Sequence, residues 1–412
     1  MRSSRAPSER TTGEVLRQRS FLLFALSRFF SGAGLTLLRA TISWQVYEIS
    51  GSAFHLGLVG LVQFLPALVL NLVGGAVADT YDRKKLVLGF QVVPAVCSVG
   101  LALASLQGRA SLAMLYLLVV LVAIAAAFEN PARSALLPQL VPRELFPAAV
   151  TVYSAIQMVA FMTGPVLMGF AVAVGGIALP YVMQAAFTLV SVATLVRVHP
   201  QRAETVRVGV RWGAIREGLA FVRRQPVVLG CMTLDMFAVL FGGATALLPI
   251  YATDILAVGP RGYGVLASAL EFGAVIMAVV MITRPQAQRT GLALIWSVIA
   301  FGTATVIFGL SRLFPLSLIA YMAAGMADYT SMVMRGTAIQ LSTPDELRGR
   351  VSSVNLIFIG ASNQLGAAES GFVAALTNPT FSVVSGGLGA LLVAAAVAAL
   401  NPTLRRYCAQ RS

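Results

Sequence analysis

Four acids and one base stand where a chain this apolar should carry no charge. Asp235, Glu271, Asp328 and Glu369 interrupt long hydrophobic runs in the second half of the sequence, and Arg39 interrupts one near the start. A charge at the centre of a membrane helix costs about 2.5–3.5 kcal/mol on insertion scales, so such residues persist where they face water, a partner or a transported ion. Carboxyl groups held there can take up a proton on one side of a membrane and release it on the other. Asp235 and Glu271 fall near the middle of successive runs and are expected to reach each other or a shared cavity, with Arg39 opposing protonation if it pairs with either. Arg28 lies near the end of its run and is read as snorkelling to the surface. Uncharged polar groups such as Gln45, Gln184, Asn355 and Asn363, set among Phe24, Phe237, Tyr321 and the methionines, suit a large amphipathic solute better than an ion or a sugar.

The runs that carry these residues number twelve: 21–47, 55–79, 86–106, 111–137, 146–174, 177–196, 226–251, 262–282, 291–310, 315–341, 351–376 and 381–400. Each is long enough as a helix to cross about 30 Å of hydrocarbon at about 1.5 Å per residue. With 58% hydrophobic and 11% charged residues and a mean hydropathy of +0.82, the chain falls outside the soluble range, which excludes a soluble enzyme. The net charge of +14 is uneven. Of 30 Lys and Arg, 25 lie in segments placed in the cytoplasm, and Arg109, Arg261 and Arg312 lie outside. This is the charge bias that orients membrane helices, so it implies a lipid bilayer around the chain and no nucleic-acid partner. An even number of spans then puts both termini in the cytoplasm of a cell inner (plasma) membrane protein.

The organisation follows: a cytoplasmic tail (1–20), a six-helix half (21–196), a basic linker (197–225), a second six-helix half (226–400) and a tail (401–412). The first tail is polar and lacks the apolar core of a cleaved signal. In the linker, Trp212, Ile215, Leu219 and Val222 recur at helical spacing among Arg216, Arg223 and Arg224, which predicts an amphipathic helix along the inner surface. Cys97, Cys231 and Cys408 are far apart and only His55 and His199 accompany them, so no disulfide framework, metal site or cofactor is expected.

An internal repeat ties the two halves together. At an offset of 202 residues, Arg133 and the Pro142, Glu144 and Leu145 that follow it match Arg335, Pro344, Glu346 and Leu347, and Gly164 and Gly169 fall on Gly366 and Gly371. Between the second and third runs lies Gly75-Ala76-Val77-Ala78-Asp79-Thr80-Tyr81-Asp82-Arg83-Lys84-Lys85, a short charged hairpin that forces its flanking helices antiparallel. Gly75, Asp79 and Arg83 in this hairpin resemble the signature loop of the major facilitator superfamily, although Thr80 and Asp82 stand where that pattern has a base and a glycine. Gly164-Pro165 followed by Gly169 resembles the helix-bend motif of its exporters. The likeness extends over about 21–400 and is closest to the branch that holds enterobactin-type siderophore exporters and drug exporters.

The resemblance implies an all-α polytopic membrane protein with twelve transmembrane helices in two six-helix repeats, and a substrate site between them. It implies a monomeric secondary transporter for a small-molecule substrate such as a siderophore or drug, exporting it against protons by alternating access, and not an enzyme. It also implies a gate at Gly75, Asp79, Arg83 and Lys84, with Asp79 latching onto the start of the eleventh helix just after Arg348–Arg350. The alternatives are an uptake symporter of the same fold and, from another class, a membrane-embedded enzyme or sensor. Against the last, the sequence has no metal-ligand cluster and no loop beyond about 30 residues to hold a catalytic domain.

Overall fold

In the computed structural model the described residues are 13–200, 212–283 and 289–408, less the side chains of 67–69, 71–73, 76, 78, 79 and 212–215. These residues are mostly helical and contain no strand. The first six spans are Arg19–Ser50, Ala53–Thr80, Arg83–Leu106, Leu112–Leu136, Phe146–Gly175 and Ala178–Val196. The seventh begins as Pro226–Phe241, and the eighth to twelfth are Gly259–Thr283, Thr290–Leu310, Phe314–Leu341, Asp345–Leu376 and Pro379–Leu400. Nine helices among the described residues are long and apolar enough to cross a membrane. The second, tenth and eleventh spans are not among these nine: the second counts only as a shorter apolar helix, Ala53–Pro66, and the other two carry Asp328 with Arg335, and Glu369 with a charged first turn.

Local chemistry sets the ends. Asp82 accepts hydrogen bonds from the amides of Lys84 (2.9 Å) and Lys85 (3.1 Å), capping the third span and explaining an acid where the signature has glycine. Ser111 and Asn378 cap the fourth and twelfth in the same way. The turn after the first span depends on Gly51 at φ 59°, a left-handed conformation that favours glycine.

The seventh span departs from the expected single helix. It breaks at Gly242-Gly243, passes through a short 3-10 segment (Ala244–Leu247) and ends in a π-helical turn, Tyr251–Ile255. A Cβ at Gly243 would overlap the carbonyl of Gly366, so the two glycines let the eleventh-span backbone reach this break.

Two compact units emerge, Met1–Ile42 with Pro66–Val210, and Ser43–Leu65 with Arg211–Ser412. In the first, Phe21, Phe24, Val87, Leu136, Leu140 and Leu195 form a buried core. In the second, the core is built from Val228, Leu234, Leu294, Met334, Val351 and Ala390. The end of the first span and the start of the second, Ser43–Leu65, belong to the second unit through close backbone packing, a Cβ at Gly60 lying 2.8 Å from the carbonyl oxygen of Gln364. Each unit also contains the same repeat-related contact. A Cβ at Gly164 would sit 2.5 Å from the amide nitrogen of Leu37, joining the fifth span to the first. A Cβ at Gly366 would sit 2.6 Å from the carbonyl oxygen of Val239, joining the eleventh to the seventh, and Val239 is Leu37 carried on by 202 residues.

The linker helix, Trp212–Arg224, is present but does not lie free. Val222 is buried in the second core, Gly218 packs on the backbone of Arg350, and Glu217 ion-pairs with Arg350. Of the predicted apolar stripe, Val222 is buried and Leu219 is exposed, while the side chains of Trp212 and Ile215 lie outside the described residues.

Candidate functional site

Each unit holds its own cluster of charge inside the spans. In the second unit the eighth and tenth spans cross at glycine. A Cβ at Gly273 would overlap the carbonyl of Met322, and one at Gly325 the carbonyl of Leu270, so the two backbones approach with nothing between them. That crossing brings Glu271 and Asp328 within electrostatic range of each other and of Tyr321. The two acids sit 12 and 14 residues in from the helix starts at Gly259 and Phe314, equal to depths of about 18 and 21 Å along the axis. Both are therefore at mid-membrane depth. The Tyr321 hydroxyl lies 2.7 Å from that of Thr245, in the broken part of the seventh span.

Asp235 is not part of this pair. It forms an ion pair with Arg335 of the tenth span, and both side chains are buried. This corrects the expectation that Asp235 reaches Glu271: its carboxylate is taken by Arg335, itself a buried residue of the tenth span. The physical reason is neutrality, since a fixed guanidinium in the span needs a carboxylate and Asp235 faces it across the helix interface. Glu369 is half-buried in the eleventh span and accepts a hydrogen bond from Ser370 Oγ (3.2 Å). Arg39 is exposed on the first span, and among the described residues no acid pairs with it.

The first unit contains a network that the sequence reading passed over. Arg133 is 1% exposed and donates through Nε (3.1 Å) and Nη2 (2.8 Å) to Glu129, one turn earlier on the fourth span. Gln91 of the third span donates to the same Glu129 oxygen at 3.0 Å, and its own oxygen accepts from Ser191 Oγ at 3.3 Å. Ser191 in turn meets Ser27 at 2.8 Å, which links the first, third, fourth and sixth spans in one chain of hydrogen bonds. The usable signal was the Glu-x-x-x-Arg spacing inside an apolar run, which sets the two charges on one helix face. Arg28 is also corrected: it does not snorkel but is 8% exposed, with its guanidinium 5.7 Å from the Tyr153 ring and 5.6 Å from the Phe161 ring.

The hairpin residues divide. Arg83 donates to the carbonyl of Ala135 (3.1 Å), and Lys84 donates to those of Val196 and Val198 (both 2.8 Å), so both cations bind the carbonyl-rich ends of the fourth and sixth spans. Gly75 lies on the second span, and Asp79 is helical there with its side chain outside the described residues. At the expected latch partner, Arg348 pairs with Asp345 (2.7 Å) and Arg350 with Glu217. Gly164, Pro165 and Gly169 are buried in a fifth span that runs unbroken through the proline.

Comparison with known proteins agrees with this architecture. The family described as transmembrane secretion effector matches residues 11–411. Enterobactin exporter EntS from Escherichia coli O81 (strain ED1a) is 26% identical over 399 residues, covering 94% of this chain and 93% of that protein. The Escherichia fergusonii protein of the same name matches to the same extent. A bacterial homolog of the human lysosomal transporter Spinster, in an inward-facing and occupied conformation, superposes with a TM-score of 0.73 at 15% identity, over 95% of this chain and 99% of that one. The nucleoside transporter NupG superposes with a TM-score of 0.72 at 13% identity, over 94% and 99%. With a family match over nearly its whole length, long apolar helices throughout the described residues and repeat-related contacts in both units, the chain belongs to the transmembrane secretion effector family of major facilitator superfamily transporters.

Proposed function

We propose that this transporter exports a small amphipathic molecule, of the siderophore or drug class, in exchange for protons. It works by alternating access as a monomer in the cell inner membrane, with both termini in the cytoplasm. The observation that carries the proton route is the Glu271–Asp328 pair, two acids at matching mid-membrane depth with no cation paired to either among the described residues. Two such carboxyl groups share charge most cheaply when one holds a proton, which is the property a proton carrier needs. Support for export comes from the relatives, which are named enterobactin exporters. Asp235 and Arg335 supply a neutral pair that holds the seventh span to the tenth, and Glu369 is a secondary proton acceptor. The hairpin of Gly75, Asp79, Arg83 and Lys84 acts as the inner gate, and Gly164, Pro165 and Gly169 as the close-packed pivot of the fifth span.

The test is flux in proteoliposomes under an imposed pH gradient, with iron-free enterobactin and ethidium as probes. Wild-type protein should accumulate one of them uphill. Glu271→Gln and Asp328→Asn should each abolish uphill movement while leaving downhill exchange measurable. A double variant that accumulates probe at the wild-type rate would remove the proton assignment, and flux in the direction of the proton would replace export by symport.

A further inference from the structure

We propose that the small cavity beside Arg28 in the first unit is an anion site, so that the exported molecule carries a negatively charged head group; this rests on the export reading for the identity of the anion as cargo. The cavity measures about 40 Å³ and is lined by Arg28, Gln91, Glu129, Asn130, Gln184 and Thr188, with Leu35 and Val122 among its apolar walls. That space admits a few heavy atoms, a carboxylate or phenolate end but not a whole solute.

The charges around the cavity do not balance. Arg28 and Arg133 bring two positive charges and Glu129 one negative. Glu129 spends its hydrogen bonds on Arg133 and Gln91 and reaches Arg28 only electrostatically. Arg28 is buried to 8% exposure, its Nε has no hydrogen-bond partner, and among the described residues no carboxylate pairs with it. Two aromatic faces, Tyr153 and Phe161, hold the guanidinium in place without neutralising it. A guanidinium cannot escape by losing its proton, so a buried and unpaired one remains an open demand for an anion. Gln184 adds to this: its Nε2 donates to Thr188 (3.1 Å), its Oε1 is buried without a partner, and a half-turn of the amide would present a second donor. Leu35 and Val122 continue the site with apolar surface, which matches an anion attached to a hydrophobic body rather than a hydrated inorganic ion.

The experiment uses purified full-length protein in nanodiscs and three probes of one shape: 2-naphthoate, 2-naphthamide and 2-naphthylmethylammonium. Wild type should bind the carboxylate about tenfold tighter than the amide, the effect expected of one charge-assisted hydrogen bond, and the ammonium least of all. Arg28→Gln should bring carboxylate and amide to equal affinity, and Arg28→Lys should retain part of the preference. Glu129→Gln removes the one negative charge and should tighten naphthoate binding, a change of opposite sign that stays informative if Arg28→Gln fails to fold. Equal binding of naphthoate and naphthamide by wild type, or a preference that survives Arg28→Gln, overturns the proposal. So does full displacement of naphthoate by sulfate at equal concentration, which would make the site one for inorganic anions. An Arg28-dependent preference in a protein that moves no probe in proteoliposomes would leave the anion site standing and the export reading refuted.

Discussion

Removing Asp235 alone should damage the protein more than removing its partner, and removing both should damage it least. Arg335 and Asp235 have side chains only 5% and 10% exposed, so Asp235→Asn strands a guanidinium among apolar helices. Losing one partner of a buried ion pair costs about 3–5 kcal/mol in soluble proteins, and an Arg at a membrane helix centre costs about 2.5–3.5 kcal/mol on insertion scales. Arg335 is six residues from the end of its helix at Leu341, about 9 Å, so partial snorkelling lowers the figure. The expected loss for Asp235→Asn is about 3 kcal/mol, about a hundredfold in the folding equilibrium. Arg335→Gln should cost less, because the stranded carboxyl group can neutralise itself by taking up a proton whereas a guanidinium cannot. The double variant Asp235→Asn/Arg335→Gln leaves two neutral amides of similar shape and should return to within about 1 kcal/mol of wild type. Reversible unfolding in bicelles by added sodium dodecyl sulfate measures all three. A double variant as unstable as the two single losses added together would show that the residues are not coupled, and the neutrality argument for this interface would fail.

Three further outcomes follow from the packing, the charge distribution and the anion site. Gly273→Ala places a methyl group against the carbonyl of Met322 and should cost about 1–3 kcal/mol while lowering proton-driven flux, whereas Gly360→Ala, with open space at its Cβ, should be silent in both assays. Cys408 is exposed near the carboxyl terminus and should react with an impermeant maleimide only after cells are permeabilised, while Arg109→Cys should react in intact cells; the reverse pattern would invert the topology. One organic anion leaving for each proton entering moves two charges in the same sense, so about 4.6 kcal/mol per 100 mV should assist export. Currents on solid-supported membranes should then fall by about half when naphthamide replaces naphthoate as the exchanged probe.

Depth along each span was legible in the residues, and orientation around each span was not. Hydropathy places Glu271 and Asp328 near the middle of their helices because it depends on position within a run. It carries no information on which neighbours they face, and that is decided by Gly273 and Gly325, glycines that look like any other small residue until a partner backbone lies against them. The internal repeat was legible too, and it marks Arg133 and Arg335 as equivalent. Extending the symmetry to their partners would have failed. Carried on by 202 residues, Glu129 falls on Ser331, and carried back, Asp235 falls on Ala33, so each half neutralises the same arginine from a different place: the same helix in one, the seventh span in the other. What the two halves share is the requirement that a buried guanidinium meet a carboxylate, and that requirement fixes a distance without fixing a sequence position. Arg28 has no counterpart of this kind, since 202 residues on lies Gly230, so the positive charge of the first unit is a property of that half alone. The electrical asymmetry of the transporter was therefore present in the residue types, but it becomes readable only once folding shows that Glu129 is already committed to Arg133.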